Sequence, residues 1–161
     1  MALRKPLVNN SGQIEQLQSG DTLDALVSGD DGLTLTNDNA GALVIGTPVY
    51  MTAADHCDKA KADAVGTVNV VGLMQPTSTA TSTTGFVQTS GILTATTAQW
   101  DAVAGTTGGL TFNTFYYLSA ATDGLITSTA PSTAGQFIVQ IGIALSTTEL
   151  LITFPQRRIK L

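Results

Sequence analysis

The stretch "TPVYMTAADHC", residues 47–57, has a counterpart later in the chain in "TFYYLSAATDG", residues 114–124. Tyr50 aligns with Tyr117, and after each tyrosine come an apolar residue, a hydroxylated residue and two alanines. An echo of this length in a chain of 161 residues indicates an internal duplication.

A pair of glycines further along supports the duplication. "VVGL", which contains Gly72, aligns with "QIGI", which contains Gly142, and the separation of tyrosine and glycine differs by only three residues between the copies. Each glycine interrupts a short apolar run, a pattern that is typical of a kink in a buried strand. The two copies are therefore expected to follow the same backbone path.

The two copies predict the fold class. Units of about 43–74 and 110–145 each contain three short strand patterns, and in the first unit the polar stretch "DHCDKAKADAVGT" is expected to form a loop or a weak helical turn. Strands with one apolar face can bury those faces against each other when two copies combine. We therefore expect an all-β fold, a small β-sandwich or barrel built from two repeated three-stranded units.

The segment between the copies begins with a low-complexity stretch. Residues 75–85 are rich in Ser and Thr and are expected to form a polar linker. The following "FVQTSGILTA" has the pattern of a hairpin that turns at Ser90 and Gly91. Both features are expected to lie between the two repeated units.

One short helix is predicted near residues 97–104. Thr96 and Gln99 have the spacing of a capping box before "AQWDAVAG", and Gly105 is placed to end the helix. Trp100 lies on the apolar side of this helix, where an indole more often fills a core than offers a platform for a ligand.

The N-terminal residues 1–40 predict an extended arm. Turn signals such as "NNSG" and "SGDDG" break its apolar runs every few residues, which favours short strands and turns over a helix. The apolar residues of the arm need cover, and we expect a neighbouring chain rather than the core domain to supply it. Residues 41–161 form the core domain, which ends in a strand and a basic tail over 149–161.

Charge is scarce and unevenly placed. Charged residues make up 12% of the chain, and the net charge of −5 argues against a nucleic-acid partner, which would need a basic patch. Most of the cations lie near the two ends, where they could meet an acidic partner surface or keep the termini in solvent. The candidate partner-binding residues belong to the arm and the basic ends: Arg4, Lys5, Leu7, Val8, Ile14, Leu17, Arg157, Arg158 and Lys160.

Neither a disulfide nor a membrane span is expected. Cys57 is the single cysteine, so no intrachain disulfide can form. No stretch approaches the ~18 consecutive apolar residues of a membrane span. The chain is expected to be made in the cytosol and to remain soluble.

No catalytic, metal or cofactor site is predicted. In "DHCD", residues 55–58, alternate side chains of an extended strand point to opposite faces, so at most two ligands converge. Only a symmetric assembly that shares His56 could complete a metal site. The same lone histidine would have to serve any nucleophile, and Glu15 and Glu149 are the two glutamates of the chain. We therefore expect a protein that is not an enzyme.

Two segments resemble small virion proteins of tailed bacteriophages. They are "LRKPLVNNSGQIEQLQSGDTLD", residues 3–24, and the stretch from "GILTATTAQW" to "STTELLI", residues 91–152. The second segment resembles a module of head decoration (cement) proteins and of some tail-fibre or baseplate-associated proteins. The first repeat is similar to the "G-x-P-V … V-V-G" pattern of decoration proteins.

The resemblance implies a function and a location. Decoration proteins are β-rich, commonly trimeric, and sit where capsid subunits meet. The implied partner is the lattice of the major capsid protein, and the implied location is the exterior of the virion after synthesis in the host bacterial cytoplasm. The implied function is non-enzymatic stabilisation of the assembled head. The alternative is an attachment or receptor-binding module of a tail fibre or baseplate.

Overall fold

A computed structural model describes residues 7–10, 13–16, 32–76, 78–154 and 159–161. The elements of these residues are, in chain order, β1 (Leu7–Asn10), β2 (Gln13–Gln16), β3 (Gly32–Asn37), β4 (Leu43–Val44), β5 (Pro48–Ala53), β6 (His56–Lys59), β7 (Val70–Met74), β8 (Ser78–Thr79), β9 (Thr84–Gln88), β10 (Gly91–Thr94), α1 (Thr97–Ala104), β11 (Phe115–Leu118), β12 (Ile126–Thr127), β13 (Phe137–Ile138), β14 (Gln140–Ala144), β15 (Glu149–Ile152) and β16 (Ile159–Lys160).

The chain divides into two compact units, Met1–Asp30 and Asp31–Leu161. In the first unit, β1 and β2 form a two-stranded antiparallel sheet. The second unit contains two five-stranded sheets and the short pairs β4 with β8 and β13 with β16. β3, which falls within the predicted arm of residues 1–40, belongs to the second unit.

The first five-stranded sheet closes on itself as a barrel, in the order β3, β6, β5, β7, β9. Neighbouring strands are antiparallel except β3 and β6, whose parallel pairing closes the barrel. Each strand contributes one apolar side chain to the interior, and none of the five is more than 2% exposed. These side chains are Leu35, Cys57, Val49, Met74 and Val87.

The second five-stranded sheet stays open. Its order is β10, β15, β14, β11, β12, and all four pairings are antiparallel. β10 and β12 form its two edges and do not pair with each other. The second sheet therefore has edge strands, which the barrel lacks.

The two sheets repeat one strand order and one register. Followed around the barrel from β3, the order β3, β9, β7, β5, β6 corresponds to β10, β15, β14, β11, β12. Val49 lies opposite Gly72 next to a bulge in β7, and Tyr116 lies opposite Gly142 next to a bulge in β14. The predicted all-β fold of two repeated units is confirmed, and each unit has five strands rather than three.

The inward face of the open sheet carries the second core. The residues that correspond to the five barrel-filling side chains are all buried: Ala95, Ile126, Tyr116, Ala144 and Leu150. They pack in one cluster with Trp100 and Val103 of α1 and with Leu73 of β7. In the barrel, the inward face is enclosed because the strands close into a ring. In the open sheet, helix α1 covers the inward face instead.

Helix α1 begins and ends as its sequence predicts. The Thr96 side chain accepts a hydrogen bond from the backbone amide of Gln99, the Gln99 side chain accepts one from the Thr96 amide, and Gly105 ends the helix at a φ of 62°. Trp100 is fully buried, and its Nε1 donates to the carbonyl oxygen of Thr148 at 2.9 Å. Among the described residues, no helix is long and apolar enough to cross a membrane.

The loop predicted for "DHCDKAKADAVGT" is wrong at its start. Asp55 lies in a turn and the residues after Lys59 form turns, whereas His56–Lys59 form strand β6. Its backbone pairs with both β3 and β5, and Cys57 points into the barrel. The exposed side chain of His56 points to solvent. The strand was hidden in the sequence because only one of its four side chains is apolar.

The hairpin predicted for "FVQTSGILTA" is also wrong. β9 pairs with β3 and β7 in the barrel, whereas β10 pairs with β15 in the open sheet, so Ser90 and Gly91 connect the two copies. The predicted linker, 75–85, contains β8 and the start of β9. Within it Thr79 is buried and donates from Oγ1 to the Sδ of Met74 at 3.4 Å.

A methyl group added at Gly72 or Gly142 should destabilise the fold. A Cβ at Gly72 would collide with the carbonyl oxygen of Gln88, and a Cβ at Gly142 would collide with that of Leu151. A paired backbone cannot move aside easily, so Gly72→Ala and Gly142→Ala should each lower the free energy of unfolding by about 2 kcal/mol or more. Urea denaturation followed by circular dichroism measures this change.

The matched control is Gly66→Ala, because a Cβ at Gly66 meets nothing within 4 Å. This variant should stay within about 0.5 kcal/mol of the parent chain. If all three variants unfold at the same urea concentration as the parent, the close approach of strands at the two equivalent glycines is disproved.

Candidate functional site

Five of the predicted partner-binding residues lie outside the described residues: Arg4, Lys5, Leu17, Arg157 and Arg158. Leu7 and Val8 lie in β1, and Ile14 lies in β2. Lys160 lies in β16, and its Nζ is 6.0 Å from the ring centroid of Phe137 in β13. This distance is within the range of a cation–π contact. The role of all these residues in partner binding stays a prediction.

An apolar row crosses the outer face of the open sheet. Pairing places Ile92 opposite Leu151, and Leu151 opposite Ile143. Ile143 in turn lies opposite Phe115, so this outer row spans four adjacent strands. Each member of the row is followed or preceded along its strand by a buried core residue, so strand alternation directs the row outward. Its two ends, Ile92 and Phe115, are 49% and 45% exposed.

The barrel has an equivalent row, and the chain covers it. Successive pairing across the barrel strands gives its members: Gly32, Gln88, Leu73 and Pro48. Leu73 is fully buried within the larger core cluster, and Pro48 is also buried. The barrel row is thus largely internal, whereas in the outer row the two ends are exposed and Leu151 and Ile143 between them are half-buried. A row of exposed apolar side chains is typical of a protein contact surface.

The surroundings of the outer row carry little charge. On one side, Gln140 donates from Nε2 to the Oγ1 of Thr153 at 3.0 Å, next to the half-buried Tyr117. On the other side lie Leu145, which is 37% exposed, and Glu149. Alternation along β15 directs Glu149 to the same face as the row. The face therefore combines apolar, aromatic and uncharged polar groups with one carboxylate.

A polar cluster lies where β3 and β6 close the barrel. Asp38 accepts hydrogen bonds from the Oγ1 of Thr52 at 2.6 Å and from the Nδ1 of His56 at 2.7 Å. The hydrogen bond from Thr52, and then that from His56, lower the pKa of Asp38 below its usual value of 3.8. Beside them, Asn39 donates from Nδ2 to the Oδ1 of Asp58 at 2.7 Å. These groups hold the closing strands together.

The chemistry of "DHCD" is structural. Cys57 is fully buried, and burial, with smaller contributions from Asp38 and Asp58, raises the pKa of its thiol to about 11. Such a thiol stays protonated at neutral pH and is a poor nucleophile and metal ligand. The expected divergence of neighbouring side chains is confirmed, since Cys57 points inward and His56 outward. In the part of the chain that the structure describes, no group of three His, Cys, Asp or Glu residues could hold a metal ion.

A second polar device stabilises the loop after α1. The carboxylate of Asp101 accepts hydrogen bonds from the backbone amides of Gly108 and Gly109 and from the Oγ1 of Thr106, at 2.8 to 3.0 Å. The bond from Gly109 contributes most to lowering the pKa of Asp101 below its usual value. The carboxylate therefore fixes the chain between α1 and β11 and is not free for catalysis.

A cleft of about 250 Å³ lies next to β12 and is lined by Ser, Thr, Ala, Pro and Gln side chains between residues 119 and 136. The Oγ of Ser119 accepts hydrogen bonds from the amides of Ala121 and Thr122, and the Oε1 of Gln136 accepts one from the amide of Thr133. None of the lining residues is titratable. The cleft can offer hydrogen bonds to a small polar molecule, but it holds no acid, base or activated nucleophile.

Sequence reasoning missed the outer row, although a signal was present. Strands β10 and β15 carry adjacent apolar residues, Ile92 with Leu93 and Leu150 with Leu151. Adjacent apolar residues in a strand mean that both of its faces are apolar. We expected one apolar face on each strand, whereas these strands have two, and the second face carries the outer row.

No family model, no curated protein and no solved structure matches the chain. A function must therefore be inferred from the surfaces described above and from the sequence resemblance. Among those surfaces the outer row gives the strongest chemical signal, because exposed apolar area is unfavourable in water unless another surface covers it.

Acid should weaken the fold through Asp38. Because the pKa of folded Asp38 lies below its usual value of 3.8, the ionised carboxylate stabilises the fold above that value, and the stabilisation is lost as pH falls through the lowered pKa. Asp38→Asn should therefore be less stable than the parent at pH 7, and the difference should shrink as pH falls below 3.8 and through the lowered pKa of folded Asp38. Urea denaturation at a series of pH values measures both curves.

The control for this prediction is Asp123→Asn, which removes an exposed carboxylate in the turn before β12. Its unfolding curve should follow that of the parent at every pH. An Asp38→Asn curve that runs parallel to the parent curve down to acid pH would rule out a stabilising role for the Asp38 carboxylate.

Proposed function

We propose that the protein is a non-enzymatic structural subunit of a bacteriophage virion, a capsid decoration protein that binds the assembled head and stabilises it. The observation that carries the proposal is the outer row, an apolar surface whose equivalent in the first copy is covered. The resemblance of residues 3–24 and 91–152 to virion proteins supports the same conclusion. A protein that joins other proteins needs an apolar contact surface, and the outward face of the second copy provides one.

The proposed partner is the lattice of the major capsid protein, on the exterior of the virion. The protein is made in the host bacterial cytoplasm and works as a homo-oligomer, for which trimers are common in the resembled family. The first unit, Met1–Asp30, and the basic residues near the two ends contact the lattice, and the outer row contacts a neighbouring protein. Several weak contacts on one body reinforce each other through effective concentration.

Stabilisation of the head follows from mass action. A protein that binds the assembled lattice but not the free capsid subunit shifts the equilibrium toward the assembled state. At a free concentration of 100 times the dissociation constant, each occupied site contributes about 2.7 kcal/mol. Because a shell offers many such sites, a modest affinity at each one suffices.

The second candidate is an attachment or receptor-binding module of a tail fibre or baseplate. The cleft next to β12 favours it, because an uncharged cleft of about 250 Å³ lined by hydroxyl groups suits a sugar. The cleft has no aromatic ring among its lining residues on which a sugar could stack. The outer row therefore supports the decoration function better than the cleft supports glycan binding.

Heads that carry the protein should resist heat better than heads from which it has been removed. Binding stabilises only the assembled shell, so the temperature of DNA release should rise when the protein is added back. Fluorescence of a DNA-binding dye during heating measures the release, and gold-labelled antibodies on intact particles locate the protein. Label on the head with a raised release temperature is expected. Label confined to the tail, or equal release temperatures, would exclude the decoration function.

Deletion of residues 2–30 should leave the second unit folded and abolish attachment to heads. The deletion must stop before β3, because this strand pairs with both β6 and β9. Circular dichroism reports the fold, and co-sedimentation with heads reports attachment. Deletion of residues 2–40 is the control and should unfold the barrel. A folded chain without residues 2–30 that still co-sediments with heads would show that the first unit is dispensable.

A further inference from the structure

We infer that the outer row binds the outer row of a second copy of this chain across a twofold axis. The axis of such a dimer lies in the plane between the two sheets. If the axis runs along the row, each side chain meets its own equivalent. If the axis runs along the strands, Ile92 meets Phe115 of the second copy and Leu151 meets Ile143. In both arrangements every member of the row faces another apolar side chain.

The distribution of charge favours an identical copy over a strongly basic protein as the occupant of the row. Each copy carries a net charge of −5, so two copies repel each other wherever their acidic surfaces meet. The outer face of the open sheet is the exception, because Glu149 is the one charged side chain among the positions that strand alternation places around the row. A partner of opposite charge would bind more strongly to the acidic surfaces elsewhere, and it would gain nothing from an uncharged face.

The size of the face sets the expected affinity. Four adjacent strands give a row roughly 15 Å long, and a stable dimer needs about 800 Å² from each partner. The four side chains alone do not supply that area, so the flanking Leu145 and Tyr117 must take part. The expected product is a reversible dimer with a dissociation constant on the order of 10 μM.

Salt dependence distinguishes this contact from one between opposite charges. Salt screens the repulsion between two copies of net charge −5 and strengthens apolar association. The dimer fraction of the full chain should therefore rise as sodium chloride increases. Sedimentation velocity over a range of protein and salt concentrations measures the fraction. A fraction that falls with salt overturns the inference.

Charge placed in the row should dissociate the dimer. Phe115→Asp and Ile92→Asp each bring a carboxylate into the contact and should raise the dissociation constant at least tenfold. The matched control is Val65→Asp, which makes the same kind of change at a residue that is 67% exposed and lies in the turns between β6 and β7, not in the row. Circular dichroism melts of all three variants show whether each is folded. Folded row variants that associate as well as the control overturn the inference.

A cross-link tests the contact without a change in charge. Leu151 lies next to the axis in both arrangements, so Leu151→Cys should give a covalent dimer with a short bismaleimide. The native thiol, Cys57, is buried in the barrel and should contribute no background, which Val65→Cys checks under the same conditions. No cross-linked dimer, a parent chain that is monomeric at every concentration up to its solubility limit, or a trimeric mass would overturn the twofold contact.

This inference deepens the proposed function by naming the partner of the outer row. The measurements use the free chain in solution, whereas head attachment is measured on particles. A chain that dimerises but fails to bind heads therefore refutes the proposed function alone. A chain that binds heads as a monomer refutes the dimer and the homo-oligomer but leaves the decoration function standing.

Discussion

Two backbone pairs close the barrel, and the architecture of the first copy depends on them. Thr36 lies opposite His56 and Asn37 opposite Cys57, in the one parallel pairing of the barrel. Asn37 is fully buried, and its Nδ2 donates to the carbonyl oxygen of Thr79 at 2.9 Å, so the closing strand is also tied to β8. Because the backbone groups of β3 and β6 hydrogen-bond to each other, the barrel has no edge strand and encloses a core of its own.

The second copy lacks that closure, and its exposed surfaces follow from the difference. Its edge strands, β10 and β12, stay apart, and helix α1 covers the inward face with Trp100 and Val103. In the part of the second unit that the structure describes, no helix covers the outward face, which presents the row that ends in Ile92 and Phe115. Duplication followed by divergence thus accounts for a stable body on one side and a contact surface on the other. In the proposed virion role, the first copy supplies the stable body and the second copy supplies the contact surface.

Features that depend on nearby residues could be predicted from the sequence. The capping box of Thr96 and Gln99, the buried Trp100 and the alignment of Gly72 with Gly142 all follow from short-range patterns. Partner choice among strands could not be predicted, because it depends on residues far apart in the chain. The segment "FVQTSGILTA" has the local pattern of a hairpin, yet its two strands belong to different sheets. The outer row was missed for the same reason, since the sequence does not reveal which apolar face stays uncovered.

The barrel interior also seals the single thiol of the chain. Cys57 is fully enclosed with side chains from the other four barrel strands, and no other cysteine competes with it for a reagent. An alkylating agent can reach its Sγ only when the barrel opens. The rate of labelling therefore measures how often the barrel of the first copy opens transiently, and it does not depend on opening of the second copy. Cys57 is thus a native probe of local opening. If binding of a partner slows this opening, the slower labelling of Cys57 measures the binding without any introduced label.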